Sequence, residues 1–316
     1  MRKVIDDVHL MVKVCDLYYN QNISQQQIAK SLNLSRPTVS RLLSSAREQG
    51  IVQLSISNLD EIKYWEMERR LEKEYRLRNV LIVDSAETED DLKEVLESAA
   101  SRYLEYTIKD GYTVGVSMGS TLYQVVTSLS NPLAKDVTFV PLIGGMGQLR
   151  MELHSNSLAE TLSRTYGGDF VPLHAPARVS SGAIRDELIR EESLNKAIRL
   201  AEHLDVAVVG IGYPNEGSAI KATGYFKENE IELLKNRNVA GEICMQFYDI
   251  SGDTSPYQND NNVIGMDIHK LRNVPYSIGI AGGLEKLGAI RGALAGHYIN
   301  ALITDIQCAS ALLEER

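Results

Sequence analysis

The chain has 316 residues, of which 44% are hydrophobic and 24% charged, and a net charge of −9. This composition excludes a largely disordered chain, a collagen-like repeat and a small disulfide scaffold, and the length suits about two domains. Cys15, Cys244 and Cys308 lie far apart with no CxxC or Cys/His spacing. They support neither a zinc site nor a disulfide framework, and they fit a reducing cytoplasm.

No apolar run reaches the roughly 18–20 residues of a membrane span. Asp6, Asp7 and His9 behind Arg2 and Lys3 leave no signal-peptide core. Residues 1–57 carry a net charge of +3, against −12 for the rest. A basic head on an acidic body can hold one face on DNA while the body repels it, although so small a charge decides little alone.

In chain order, residues 4–20 predict a helix, with Val4, Val8, Met11, Val12, Cys15 and Tyr18 or Tyr19 at three- and four-residue steps. Asn20, Gln21 and Asn22 break it. Ser24 and Gln27 have the capping-box spacing that opens a second helix. Asn33 sits at the turn, where its tolerance of the left-handed conformation is useful. Ser35 is the next N-cap, Pro37 lies in the first turn, and a third helix runs from Arg36 to about Gln49 before Gly50. Ile51–Ser57 alternates like a short strand. Residues 59–76 form a charged amphipathic stretch with Ile62, Trp65, Leu71 and Tyr75. It fits either a connector helix that packs against another subunit or the first helix of the next domain.

From about residue 79 apolar runs alternate with helical stretches. The runs are Val80–Val83, Thr113–Ser117, Val137–Leu142, Val206–Ile211, Tyr276–Ala281 and Ala301–Thr304. Such alternation predicts an α/β fold with a doubly wound, mostly parallel sheet behind an all-α N-terminal domain. The expected divisions are 1–57 for the helix-turn-helix, 58–78 for the connector and 79–316 for the large domain.

The first motif is the helix-turn-helix. With Gln25 as position one, Ala29 is fifth, Asn33 ninth, Val39 fifteenth and Leu42 eighteenth. A small residue, a left-handed turn and two seam residues at that spacing suit two crossing helices. Arg36, Thr38, Ser40 and Arg41 then face base edges and phosphates of double-stranded DNA, while Gln25 and Gln26 can hold phosphate. The competing reading is a three-helix bundle used for protein contacts.

Glycine turns follow several strands. Gly115-Val-Ser-Met-Gly-Ser-Thr121 runs from a strand into a helix, where backbone N–H groups and the Ser120 and Thr121 hydroxyls can bind an anion. It is no P-loop, and a merely tight turn is its alternative. Gly144-Gly145, Gly210-Ile-Gly212 and Ala281-Gly-Gly283 lie at other strand ends, and Lys286 follows the last. Ligands of open α/β sheets gather at such carboxyl ends, so the set points to an anionic small molecule. Asp249 fits a general base, a hydroxyl acceptor or a turn residue before Ser251-Gly252. The histidines reveal no pairing, and neither a nucleophile elbow nor HExxH is present. No catalytic group, metal site or cofactor site is assigned.

Taken in order, Ser24-Gln-Gln-Gln-Ile-Ala through Leu34-Ser-Arg-Pro-Thr-Val-Ser-Arg41, Ser117-Met-Gly-Ser-Thr121, Gly144-Gly145, Gly210-Ile-Gly212 and Ala281-Gly-Gly-Leu-Glu-Lys286 resemble the SorC family of bacterial sugar-responsive transcriptional regulators. The resemblance spans essentially the whole chain. It implies a cytoplasmic, non-enzymatic regulator with a sugar-phosphate-isomerase-like effector and oligomerisation domain, bound to operator DNA and forming tetramers or dimers of dimers. A phosphorylated sugar is the implied effector. By position, Ser117, Gly119, Ser120 and Thr121 match the phosphate loop and Gly144 and Gly145 the loop beside it. Asn156 matches a polar position near the ligand, Asp249 an acid towards the sugar hydroxyls, and Lys286 the phosphate-contacting lysine. Two departures stand out. Ile143 replaces the lysine that some deoxyribose-phosphate-responsive relatives carry before the glycine pair, which excludes a Schiff base there. Glu242 stands where a shorter Asp is usual, and is read as a structural change. The rival is an active sugar-phosphate isomerase or deaminase with an added DNA-binding head and Asp249 as its base.

Overall fold

The computed structural model describes residues 7–53, 63–130, 132–145, 147–215 and 219–314. The chain divides into two compact units, residues 1–63 and 64–316.

In the first unit α1 (Val8–Cys15) starts at Asp7, whose carboxylate accepts from the Leu10 N–H at 3.1 Å. It runs on into one π-helical turn, Asp16–Asn20. The Asn20 and Gln21 amides both donate to the Asp16 carboxylate at 2.8 Å, which holds the turn and lowers the carboxyl's pKa. α2 (Gln25–Ser31) begins with the complete Ser24–Gln27 capping box. α3 (Arg36–Glu48) begins at Ser35 with Pro37 in its first turn. Asn33 has φ of +53° and Gly50 of +71°, as a turn and a helix end require. Met11, Val14, Ile28, Val39, Leu42 and Ala46 are fully buried between the three helices. Of the strand expected over Ile51–Ser57, Ile51–Gln53 are not strand, and residues 54–57 lie outside the described residues, as do 4–6 of the first expected helix.

The second unit opens with α4 (Trp65–Tyr75) and β1 (Asn79–Val83). There follow α5 (Glu89–Thr107), β2 (Thr113–Val116), α6 (Ser120–Ser128), β3 (Thr138–Pro141), α7 (Ser155–Tyr166) and β4 (Asp169–Phe170). After α8 (Gly182–Arg190) and α9 (Glu192–Ala201) come β5 (Val206–Gly210), α10 (Ala219–Ala222) and α11 (Glu228–Asn236). The chain ends with the hairpin β6 (Gly241–Ile243) and β7 (Gln246–Tyr248), then β8 (Tyr276–Ile280), α12 (Leu287–Ala295), β9 (Ala301–Asp305) and α13 (Ile306–Glu314). The seven-stranded sheet has the order β1-β9-β8-β5-β2-β3-β4, and every pairing is parallel.

Alternation along each strand sends side chains to two cores. Val114, Val116, Val206, Val208 and Ile278 pack with Leu104, Leu122, Val125 and Leu158 of α5–α7. Val140, Ala207, Val209 and Leu302 face the other way, towards Leu71, Leu234, Ile290 and Leu312 of α4, α11, α12 and α13. Helices on both faces are what a buried parallel sheet needs.

The helix in the expected 58–78 connector is part of this second unit. Leu71 is fully buried, and the Tyr75 hydroxyl donates to the Leu312 carbonyl of α13 at 2.9 Å. Among the described residues β1 pairs only with β9, so its outer N–H groups face away from the sheet. Two of them donate to α4 carboxylates, Val80 N–H to Glu72 at 3.2 Å and Ile82 N–H to Glu68 at 2.9 Å. Four residues on a helix and two on a strand cover similar lengths, which lets Glu68 and Glu72 meet alternate strand positions.

Candidate functional site

A cavity of about 460 Å³ opens at the carboxyl ends of β1, β8, β5 and β2. It is the place the doubly wound topology favours for a ligand. The β2–α6 turn supplies Ser117, Gly119, Ser120 and Thr121. Gly119 has φ of +116°, a conformation that L side chains rarely adopt, and its N–H is already given to the Leu153 carbonyl at 3.1 Å. α6 therefore starts without a side-chain cap, and the next N–H groups, at Ser120 and Thr121, remain for an anion.

The β8–α12 loop brings Gly283, Leu284, Glu285 and Lys286 to the same cavity. Asp305, buried at the end of β9, fixes that loop. Its Oδ2 accepts from Gly283 N–H at 2.8 Å, and its Oδ1 from Gln307 and Cys308 N–H at 2.8 and 3.1 Å. The same carboxylate leaves no room for a side chain at Gly282. Lys286 is half-buried, and no described residue pairs with its ammonium. The Lys286 ammonium, one uncapped helix start and two hydroxyls share the space, which suits a phosphate-sized anion.

Of the residues expected around a ligand, Ser117, Gly119, Ser120, Thr121 and Lys286 are thus brought together. The others are placed elsewhere. Gly144 crosses closely under the Ala175 carbonyl and gives its N–H to Ile264 at 3.0 Å. Gly145 donates to Ala175 at 2.7 Å and accepts from the Tyr225 hydroxyl at 2.9 Å. Asn156 clamps both backbone polar groups of Leu173, at 2.9 and 3.0 Å. Asp249 Oδ1 accepts from Ser251 N–H, Ser251 Oγ and Asp253 N–H at 2.7–2.9 Å, so this carboxylate organises its own turn. None of these four lines the cavity.

Cavity residues outside the sequence reading of the site include Glu87, Tyr213 and Lys93, the last ion-paired with Asp90 at 3.3 Å. Glu242, read from the sequence as a structural change, both supports its own hairpin and borders the cavity. It is buried on β6 and lines the cavity, with its Oε2 accepting from Met245 N–H at 2.7 Å. Burial pushes its carboxyl pKa up to about 7, against the opposing pull of that N–H. The Met245 N–H is aimed by a two-residue hairpin turn in which Cys244 and Met245 have φ of +53° and +58°. Both residues of such a turn need positive φ, which non-glycine residues adopt at a cost. Cys244 also lines the cavity, with its thiol pushed up to about 12 by burial.

On the first unit, Arg36, Ser40 and Arg41 are exposed on α3, and Ser44 and Arg47 extend that surface. Arg36, Ser40, Ser44 and Arg47 follow helical spacing along one face. Thr38 differs from the expectation. It is half-buried, and its hydroxyl bonds Ser35 Oγ at 2.7 Å, so it supports the cap of α3. Gln25, Gln26 and Arg36 border a shallow concavity together with Tyr18, Tyr19 and Asn22, which the sequence reading passed over. The side-by-side tyrosines at a helix break were its available signal.

The Sugar-bind family model, a sugar-binding domain, matches residues 60–314, and a Crp-like helix-turn-helix domain matches residues 12–66. The sorbitol operon regulator of Klebsiella pneumoniae is 33% identical, covering 98% of this chain and 99% of its own. The deoxyribonucleoside regulator of Bacillus subtilis is 32% identical, covering 97% of each. The crystal structure of the full-length K. pneumoniae regulator SorC superposes with a TM-score of 0.73 over 98% of this chain and 99% of its own. With both domains matched in order and relatives aligned end to end, the chain belongs to the SorC family of transcriptional regulators.

Proposed function

We propose that this regulator binds operator DNA through α3 and answers to a phosphorylated sugar held in the cavity, in control of a carbohydrate-catabolic operon. The observation that carries the effector class is the meeting of the uncapped start of α6 with Lys286. The similar proteins are named for sorbitol and deoxyribonucleoside control, which supports the sugar half of the reading. Arg36, Ser40 and Arg41 would face bases or phosphates in the major groove, with Gln25 and Gln26 on the backbone. Assembly of copies, as a tetramer built from two dimers, would supply the symmetry that operators mirror. Regulation needs the effector to favour one quaternary arrangement, typically by about 1–3 kcal/mol.

An enzymatic role is less well supported. Asp249, the base that a sugar-phosphate isomerase would use, is taken up by its own turn outside the cavity. No histidine is among the described residues that line the cavity.

The test is fluorescence anisotropy on DNA from upstream of the protein's own operon, with a panel of sugar phosphates and the parent sugars titrated in. One phosphorylated member should shift operator affinity and its parent sugar should not. Arg36→Ala and Arg41→Ala should each weaken operator binding by about 1–3 kcal/mol, roughly 5–150-fold. Full operator affinity in both variants would remove α3 from the DNA interface.

A further inference from the structure

Glu242 is an unusual group to find in an anion-binding cavity. It is a carboxyl, it is buried, and among the described residues only one of its oxygens has a hydrogen-bond partner, Met245 N–H. The second, Oε1, lies in the space that a side chain at Gly212 would enter. The hairpin turn, with its two left-handed non-glycine residues, aims the N–H that holds this carboxyl beside the cavity.

We propose that Glu242 takes up a proton when an anionic ligand occupies the cavity, so that ligand affinity rises with acidity. This rests on the reading of the cavity as an anion site. The groups around Glu242 leave it as the titrating member of its cluster. The Cys244 thiol and the Tyr248 phenol of the hairpin are both kept protonated by burial. Ser117 from the β2–α6 turn and Tyr213 from the β5 turn complete the surroundings. Among the described residues, the other charged groups that share the cavity are Lys286 and Glu285 before α12, and Glu87 and Lys93 at the start of α5. Burial alone already brings the Glu242 carboxyl near neutrality. An incoming anion adds like-charge repulsion and raises it further, which is proton uptake by linkage. The neutral acid also gains an O–H donor for a ligand oxygen. The sign is fixed: affinity is highest below the carboxyl's pKa and falls as pH rises through it.

Sulfate is a suitable probe because it stays fully ionised from pH 6 to 8. Equilibrium dialysis of the full chain with radiolabelled sulfate should show binding about threefold or more tighter at pH 6 than at pH 8. Glu242→Gln, which keeps an acceptor for Met245 N–H, should bind sulfate with that pH dependence removed. Calorimetry on the unaltered chain, in buffers of different ionisation heat, should show net proton uptake near pH 7 on binding. Sulfate binding with the same pH dependence in Glu242→Gln, or without proton uptake in the unaltered chain, overturns the proposal. No sulfate binding at either pH overturns the anion-site reading, and the proposal with it.

Discussion

Leu42→Ala should abolish operator binding while leaving ligand binding untouched. Leu42 is fully buried in α3, in a core that also holds Met11, Val14, Ile28, Val39 and Ala46. Truncating a buried leucine costs about 2–5 kcal/mol, part transfer and part cavity. A unit of this size buries too little surface for large stability, so that loss rivals all it has. The second unit has separate cores on both faces of its sheet and should keep its fold. Operator anisotropy should fall to background. Thermal unfolding followed by circular dichroism should lose the head's transition and retain that of the larger unit. Unimpaired operator binding would mean that this core is not what holds the recognition helix.

Lys286→Met should cost the phosphorylated effector about 1.5–3 kcal/mol, roughly 10–150-fold in Kd, and leave the parent sugar unaffected. Met keeps most of the aliphatic stem, and Lys286 joins the 3₁₀ turn Leu284–Lys286 to α12 through its backbone, so the loop should persist. What disappears is the cation beside the uncapped start of α6. Isothermal titration with both ligands separates the outcomes. Equal losses for sugar and sugar phosphate would indicate a collapsed loop, and no loss would place the phosphate elsewhere.

Local chemistry made much of this fold legible. The Ser24–Gln27 box, Asn33, Ser35 and Pro37 each act within one helical turn, and each occupies the expected position. Buried parallel strands announced themselves as apolar runs. The two-residue β4 on the sheet edge is too short to give a periodic signal. The mostly apolar stretch Ile243–Tyr248 carries no visible break in sequence and is a hairpin. Its turn is Cys244-Met245, where the usual Asn-Gly type of signal is absent.

The same limit applies to the site. A glycine pair announces a close backbone approach but not its partner. At Gly119 the vacancy serves an uncapped helix, whereas at Gly144 it admits the Ala175 carbonyl. Asp249 and Glu242 lie seven positions apart around one short hairpin. Only the folded chain shows that the first acid is spent on its turn and the second borders the cavity.

The carboxylates of Glu68 and Glu72 have a consequence for how this protein can be divided. A parallel sheet ending in a bare strand invites another strand, and here the helix that precedes the sheet satisfies β1 before a stranger can. The segment leading to the DNA-binding head thus doubles as a guard against self-association. A fragment beginning at residue 79 should form high-molecular-weight species on size exclusion, where one beginning at residue 64 should not. Any evolutionary exchange of the head must therefore be spliced upstream of Trp65, because the guard belongs to the sheet rather than to the head.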